Sequence, residues 1–249
     1  MTKGIFFAVP LALALGVVGS AHATGSADCF KPLKKGTKIE ALYTFKIPQG
    51  KGTEKLNIAV GGKKKFNGKQ ATEVKTTTTS KLRGKPATKV KFKSYVSYNV
   101  AKKIAYYHGS TVNTPKPFKS VSKTTISPLA QDRFKLRKNQ SYTQRTKGKT
   151  KTTIVYSTPQ GDVKDSSTST YISKHTKKFL GITTLTVPAG KFEVCKYKLT
   201  DETKTKGAGT SKSTSLSWVS TKYGIEVQSK AKKFLSKLKS AKINGKAIK

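Results

Sequence analysis

Gly181-Ile182-Thr183-Thr184-Leu185-Thr186-Val187-Pro188-Ala189-Gly190-Lys191-Phe192-Glu193-Val194-Cys195 is the stretch whose reading decides the fold. Leu185 and Val187 alternate with Thr184 and Thr186, and Phe192 and Val194 alternate with Lys191 and Glu193. An apolar–polar period of two is the period of a half-buried strand. Pro188-Ala189-Gly190 lies between the two runs, where strand geometry must break. Further on, Trp218-Val219-Ser220 and Lys222-Tyr223-Gly224-Ile225-Glu226-Val227 read as a return strand and its continuation, carrying the only Trp. The stretch therefore predicts a strand, a kink, a second strand and a return strand, with Trp218 capping the core against the kink. It contains no catalytic set.

The same period recurs along the chain. Ile39, Ala41, Tyr43, Phe45 and Ile47 share one face, with Glu40, Thr44 and Lys46 opposite; Leu56, Ile58 and Val60 repeat the pattern. Val90, Phe92, Val96, Tyr98 and Val100 share a face interrupted by Ser94, and Lys89, Lys91 and Lys93 share the other. Glu73 to Leu82 is Thr-rich, which suits a pleated, partly solvated surface. Ile104 to Tyr107, Val121 to Ser127 (stopped by Pro128) and Thr168 to Ser173 complete the clearer runs. Turns are expected at Pro48 to Gly52, at Gly61-Gly62 with Lys63 to Lys65, and at Pro159-Gln160-Gly161-Asp162. A connection through Pro115 and Pro117 and a polar loop from Asp132 to Asn139 are also expected. Ser141 to Arg145 and Thr152 to Ser157 read as a hairpin about a Lys147-Gly148-Lys149 tip. The whole predicts an all-β fold: one antiparallel domain over 24–249, a sandwich or a single strongly curved sheet of about ten to twelve strands. Lys230 to Lys249 stays open on pattern alone. Ala231, Phe234, Leu235 and Leu238 have the spacing of a short basic C-terminal helix, whereas Leu235 to Ile243 can equally be a strand turning at Asn244-Gly245.

Met1–Ala23 is set apart from the fold. A positive start is followed by an apolar run from Gly4 to Gly19, and Ala21-His22-Ala23 offers the small residues that a signal peptidase reads. This is the pattern of a secretory signal peptide cleaved after Ala23. A retained membrane anchor would need a longer run without Pro10. No later stretch has the length or apolarity of a transmembrane segment, so the mature chain is expected in the periplasm or secreted.

The charge is extreme, with 51 Lys+Arg against 11 Asp+Glu, formally +40. Only Arg83, Arg133, Arg137 and Arg145 are Arg, which leaves 47 Lys (51 − 4). Lysine is a hydrated point charge, whereas planar recognition of phosphates and base edges favours arginine. The excess reads first as a long-range field that attracts polyanions and weakens with salt. So few carboxylates would also suit an acidic exterior. Cys29 and Cys195 are the two cysteines. In an exported chain an isolated pair is most simply a disulfide, and two free thiols are the alternative.

Candidate chemistry is sparse. His108 and His175 stand far apart in sequence, with neither a metal-ligand spacing nor a nucleophile elbow. Gly62 to Gln70 looks like a phosphate loop by eye, but its spacing is one residue too long and Gln70 replaces the hydroxyl that binds magnesium. The adjacent acids Asp201-Glu202 read as solvated charge in a turn. The strand aromatics Tyr95, Tyr98, Tyr106 and Tyr107 fit cross-strand packing better than base stacking. No catalytic, cofactor or metal residues and no specific nucleic-acid partner are expected.

Thr186-Val187-Pro188-Ala189-Gly190-Lys191-Phe192, with Val194 and Cys195, resembles the "vPaGtF…c" signature of bacterial exported families of unknown function. Trp218, Gly224, Ile225 and Val227 match their later "W…G[IL]xV" element. Ser127-Pro128 and Gln140-Ser141-Tyr142 resemble their middle section. The resemblance implies a curved antiparallel sheet, a half-barrel related in shape to periplasmic lipoprotein carriers, with Pro188, Gly190, Phe192, Trp218 and Gly224 as structural signature. It favours a strand over Leu235 to Ile243, and it brings no catalytic residue. The expected function is a non-catalytic exported envelope protein that holds an apolar or amphiphilic ligand, such as a lipid, on the concave face. The alternative is a polyanion binder for lipopolysaccharide, acidic glycan or extracellular nucleic acid. A hydrolase would require His108 or His175 to lie beside a serine and a carboxylate in a cleft.

Overall fold

The computed structural model describes residues 26–114, 119–158 and 161–249. The signal-peptide segment, the Pro115–Pro117 connection and the Pro159-Gln160 turn lie outside the described residues. A short 3-10 turn over Ser26–Cys29 leads into the strands. They are β1 (Lys38–Ile47), β2 (Gly50–Phe66), β3 (Lys69–Leu82), β4 (Thr88–Asn99), β5 (Ile104–Thr114), β6 (Lys119–Arg133) and β7 (Ser141–Thr158). There follow β8 (Gly161–Val187), β9 (Gly190–Thr205), β10 (Gly209–Ser220), β11 (Glu226–Ala231), β12 (Phe234–Ile243) and β13 (Lys246–Ala247).

All neighbours are antiparallel and sequential, and β1 also pairs with β12, from Ile39↔Ile243 to Lys46↔Leu235. The sheet is therefore a closed twelve-stranded barrel, not the open curved sheet or half-barrel that the sequence suggests. Alternation along a strand says which face is buried, but not whether two edges far apart in sequence meet. Closure satisfies both edges, which an open sheet leaves unpaired. The same fact decides the C-terminus. Phe234–Ile243 is a strand and not a helix, because its backbone completes the ladder of β1 while Leu238 (0 % exposed) enters the core.

Several expected turns move. Gly61-Gly62 is a bulge inside β2, across which the register steps from Val60↔Val74 to Lys63↔Thr72. The reversal comes at Asn67-Gly68, where both residues have positive φ (48° and 79°), as a two-residue hairpin turn requires. Lys147-Gly148-Lys149 is mid-strand, not a tip. Gly148 pairs with Tyr171, whose ring occupies the space that a side chain at 148 would need. Asp201-Glu202 likewise lies within β9, not in a turn. Pro188-Ala189 is a full hairpin turn rather than a kink: Val187 pairs with Gly190, and Ala189 N–H donates to Leu238 O across the barrel (3.2 Å).

The apolar body consists of two adjoining clusters that share Tyr98 on their border. One gathers Ile39, Ile58, Val74, Val194, Trp218 and Val227; the other gathers Phe30, Val96, Phe134, Phe179 and Tyr197 around Cys29 and Cys195. These two cysteines form a disulfide that closes 166 residues of sequence. Trp218, Phe192 and Val187 belong to the first cluster, with Ala189 packed against it. Each fully buried Val or Phe contributes about 1.5–3 kcal/mol of hydrophobic stabilisation.

Two polar groups are held among packed side chains. Lys177 is 5 % exposed. Its Nζ donates to Asp132 Oδ1 (2.5 Å) and lies over the rings of Phe134 (3.8 Å) and Tyr197 (4.1 Å). The aromatic faces and the carboxylate replace water around a cation that would otherwise be too costly to bury. Glu226 keeps some solvent access yet is ringed by protein, with Ser217 Oγ donating to its Oε2 (2.6 Å). Burial pushes its carboxyl up to about 7, the hydrogen bonds from Ser217 and Ser229 pull it back, and Glu54 adds to the rise.

Candidate functional site: a cleft at the break in β6

The barrel wall opens where β6 leaves its neighbours. Along β5–β6 the register steps from Tyr107↔Ala130 to Gly109↔Thr125. A single residue of β5, His108, thus stands across from four of β6, Ile126 to Leu129. Pro128 lies in that bulge, where a residue without an N–H can be tolerated. On the other side the β6–β7 ladder stops at Ser127↔Lys147. Past it the side chain of Gln144 substitutes for the ladder. Gln131 N–H donates to Gln144 Oε1 (2.6 Å), and Gln144 Nε2 donates to Leu129 O (2.6 Å). Buried backbone groups are thereby satisfied without closing the wall. Gly109 has φ +138°, and a side chain there would collide with the backbone of Thr124 and the Phe66 ring. Only glycine lets the β2–β3 hairpin lie so close.

Two clefts meet at this break and share Asn67, Ile126 and Ser127. The larger, about 550 Å³, has Ile126, Gly148, Tyr171 and Ile172 in its walls, and Lys147, Lys149, Lys204 and Lys206 line it as well. Ile172 is 49 % exposed, an apolar side chain left in solvent beside four cations. Burial raises the Tyr171 phenol above its usual range, and the neighbouring Tyr107 adds to the rise, so Tyr171 stays neutral. The smaller cleft, about 350 Å³, is walled by Phe66, Lys69, His108 and Leu129 among others. His108 Nε2 is hydrogen-bonded to Ser97 Oγ (2.8 Å). Its proton affinity is lowered first by burial and then by the charge on Lys69.

The residues singled out in the sequence fall elsewhere. Cys29, Cys195, Pro188, Gly190, Phe192 and Trp218 belong to the apolar body and its hairpin. Gly224 shapes the turn into β11, with φ +64° and its N–H donating to Ser220 O (2.8 Å). The histidines do not assemble a triad. Within the described residues, His108 meets a serine and no carboxylate, whereas His175 Nδ1 meets Asp201 Oδ1 (2.5 Å) and no serine. Among the described residues, no group of three His, Cys, Asp or Glu gathers as metal ligands. Among the same residues, no helix is long and apolar enough to cross a membrane. Nothing in the sequence marks Ile126, Gln144, Tyr171 and Ile172 as a site; Pro128, expected to stop the strand at Ser127, instead lies within β6, which runs on to Arg133 past the break.

The outer face orders the lysines. Lys75↔Lys93, Lys93↔Thr111, Thr111↔Lys123 and Lys123↔Lys151 make one continuous row across β3 to β7. Lys178 and Lys198 stand opposite each other on β8 and β9. Like charges directly across a ladder destabilise it. Among the described residues, Lys75 alone of these lysines meets a carboxylate, Glu73 at 3.7 Å.

No family model matches the chain. No curated protein matches it either. Two crystal structures are similar in overall shape. One is of a "putative lipoprotein" from Parabacteroides distasonis, at 13% identity, over 89% of this chain and 100% of that one, with a TM-score of 0.45. The other is of a "putative exported protein" with a YmcC-like fold from Bacteroides fragilis, at 14% identity, over 85% of this chain and 97% of that one, with a TM-score of 0.41. At such scores the likeness carries no argument about function.

Proposed function

We propose that this is a non-catalytic exported protein of the cell envelope that holds an anionic amphiphile at the break in β6. One observation carries the reading: Ile172, 49 % exposed, lines a cleft between Lys147 and Lys204, its direct cross-strand partners, and Lys149 and Lys206 line the same cleft. An acyl chain would lie along Ile172 and the aliphatic stems of the lysines, and its acidic end would find cations within reach, a division typical of ligand sites with few polar anchors. Export is supported by the Met1–Ala23 pattern and by the Cys29–Cys195 disulfide, which persists in oxidising compartments. Native mass spectrometry of protein purified from its own envelope is the test. An adduct of lipid mass, lost in Ile172→Asp, is the expected result. Wild-type protein that carries no adduct and binds no fluorescent fatty acid would sink the reading.

The row from Lys75 to Lys151, in which Lys75 meets Glu73, favours a second reading, adhesion to polyanions by the outer face. Heparin and anionic vesicles should bind more tightly than they bind a compact control of equal charge, with a steep loss on adding salt. Equal binding would reduce the lysines to a solubility device.

A further inference from the structure

The rim of β8 carries backbone groups that neither cleft uses. β7 pairs with β8 from Ser141↔Lys178 to Thr158↔Gly161, but β9 pairs with β8 only from Tyr171↔Thr205 onward. Among the described residues, no strand lies beside β8 before Tyr171 on the β9 side. Exposure follows the missing neighbour. Val163 to Thr170 are all exposed, whereas Thr152 to Val155, which face Ser167 to Lys164 from β7, are half-buried between β6 and β8. Lys206 N–H donates to Thr170 O (3.1 Å), so Thr170 turns its peptide groups away from β7. Successive residues of a strand alternate in this respect. Thr168, Ser166 and Lys164 therefore each turn an N–H and a C=O to the empty side, while Ser167 and Asp165 turn theirs into the β7 ladder. Such an unpaired row is a template for another strand. Neither a bulge in the β7–β8 register nor a proline in β8 blunts it.

Charge selects the occupant. The chain is formally +40, so a second copy is repelled until salt screens it, and an acidic partner is drawn in. The two faces at the edge differ. Lys164, Ser166, Thr168 and Thr170 share the outer face, where Lys151 and Lys149 stand opposite Thr168 and Thr170 on β7. Val163, Asp165, Ser167 and Ser169 share the other face and offer an aspartate but no cation. We propose that Lys164 to Thr168 is a docking edge for an extended acidic peptide of a partner protein. The peptide adds as an antiparallel strand, with carboxylates on the face of Lys164 and uncharged side chains on the face of Asp165. Main-chain hydrogen bonds supply the affinity, and the alternation of side chains supplies the specificity. Residues opposite each other in an antiparallel pair share a face and point their peptide groups at each other or away together. The acidic residues of the added strand are therefore the ones whose N–H reaches β8.

A fluorescein-labelled peptide of alternating Glu and Thr, titrated by anisotropy against the whole protein, tests this together with two methylated forms of equal charge. N-methylation at each Glu removes the N–H groups that face β8 and should weaken binding at least about tenfold. N-methylation at each Thr leaves those groups in place and should change the affinity little. Ser166→Pro and Thr168→Pro each delete a free N–H of the edge, so each should weaken the unmodified peptide about tenfold while the melting temperature holds. Ser167→Pro, whose N–H belongs to the β7 ladder, should lower the melting temperature. If an edge proline disturbs the fold, the methylated pair still decides. Equal binding of the two methylated peptides, an affinity untouched by folded edge-proline variants, or no binding of the unmodified peptide overturns the proposal. A wild-type dimer in sedimentation velocity that Ser166→Pro splits would give the edge to a second copy and overturn the acidic occupant.

Discussion

The same strands build two unlike regions. β8 sends Phe179 into the body around the disulfide, where Tyr197 and Val219 meet it. A few residues earlier its Ser173 hydroxyl is paired with that of Thr203 (2.7 Å). On β6 and β7, Ser122 pairs with Thr152 and Thr124 with Thr150, each at 2.9 Å, while Lys123 and Lys151 face outward. One region is held by apolar burial and a covalent staple, the other by ladder hydrogen bonds and hydroxyl pairs alone. Backbone pairing can thus carry a strand well past its core, but the extension has little buried surface to resist local opening. The cleft lies at the boundary between the two, where β6 must leave one regime for the other.

The largest effect should come from the staple. Replacing Cys29 and Cys195 by Ser removes a constraint on 166 residues of unfolded chain. The chain-entropy model puts that at about 5 kcal/mol, to be read from denaturant midpoints. Phe179→Ala should cost about 4 kcal/mol, whereas Val163→Ala, in the extension and 54 % exposed, should stay within about 0.5 kcal/mol. Amide exchange at Lys177 to Phe179 should follow global unfolding, and exchange at Thr150 to Thr153 should be much faster. Equal protection in the two segments would erase the distinction between the regions.

A third effect depends on pH. The Glu226 carboxyl is raised in the folded state from 4.5 to about 7. Over that window the folded protein holds more protons than the unfolded chain, so stability is fully present below about pH 4.5 and declines as pH rises through about 7. With its partial solvent access discounted, the decline should be about 2 kcal/mol. Glu226→Gln should flatten it in urea titrations at several pH values. The sign agrees with the acidic exterior that so few carboxylates suggested. The smallest effect belongs to the outer row. Lys123→Gln should raise stability by no more than about 0.5 kcal/mol by relieving Lys151, and should lower the salt slope of heparin binding by about one unit.

Much of the fold was legible because period-two burial is local. Ile39 to Ile47, Leu56 to Val60 and Val90 to Val100 announce strands and their buried faces without reference to anything distant. The C-terminal segment was not legible, since Ala231, Phe234, Leu235 and Leu238 satisfy a helix as well as a strand until β1 supplies a partner. Gly61-Gly62 and Lys147-Gly148-Lys149 misled for a related reason: a glycine can serve a turn, a bulge or a close approach, and only the neighbour distinguishes them. At 148 that neighbour is the Tyr171 ring. The cleft was the least legible part. Pro128 marks a fault in a strand, but what the fault opens onto depends on Gln144, Tyr171 and the β2–β3 hairpin, which are distant in sequence.

By itself the sequence determined an all-β chain with an exported pattern, lysines on outward strand faces and one plausible disulfide pair, because composition and alternation act residue by residue. The tertiary structure alone decided that β1 and β12 close the sheet, that His108 meets Ser97 while His175 meets Asp201, and that apolar and cationic side chains share one cleft. Those outcomes depend on which distant backbones meet, and closure of a barrel is a property of two edges that no single stretch of chain contains.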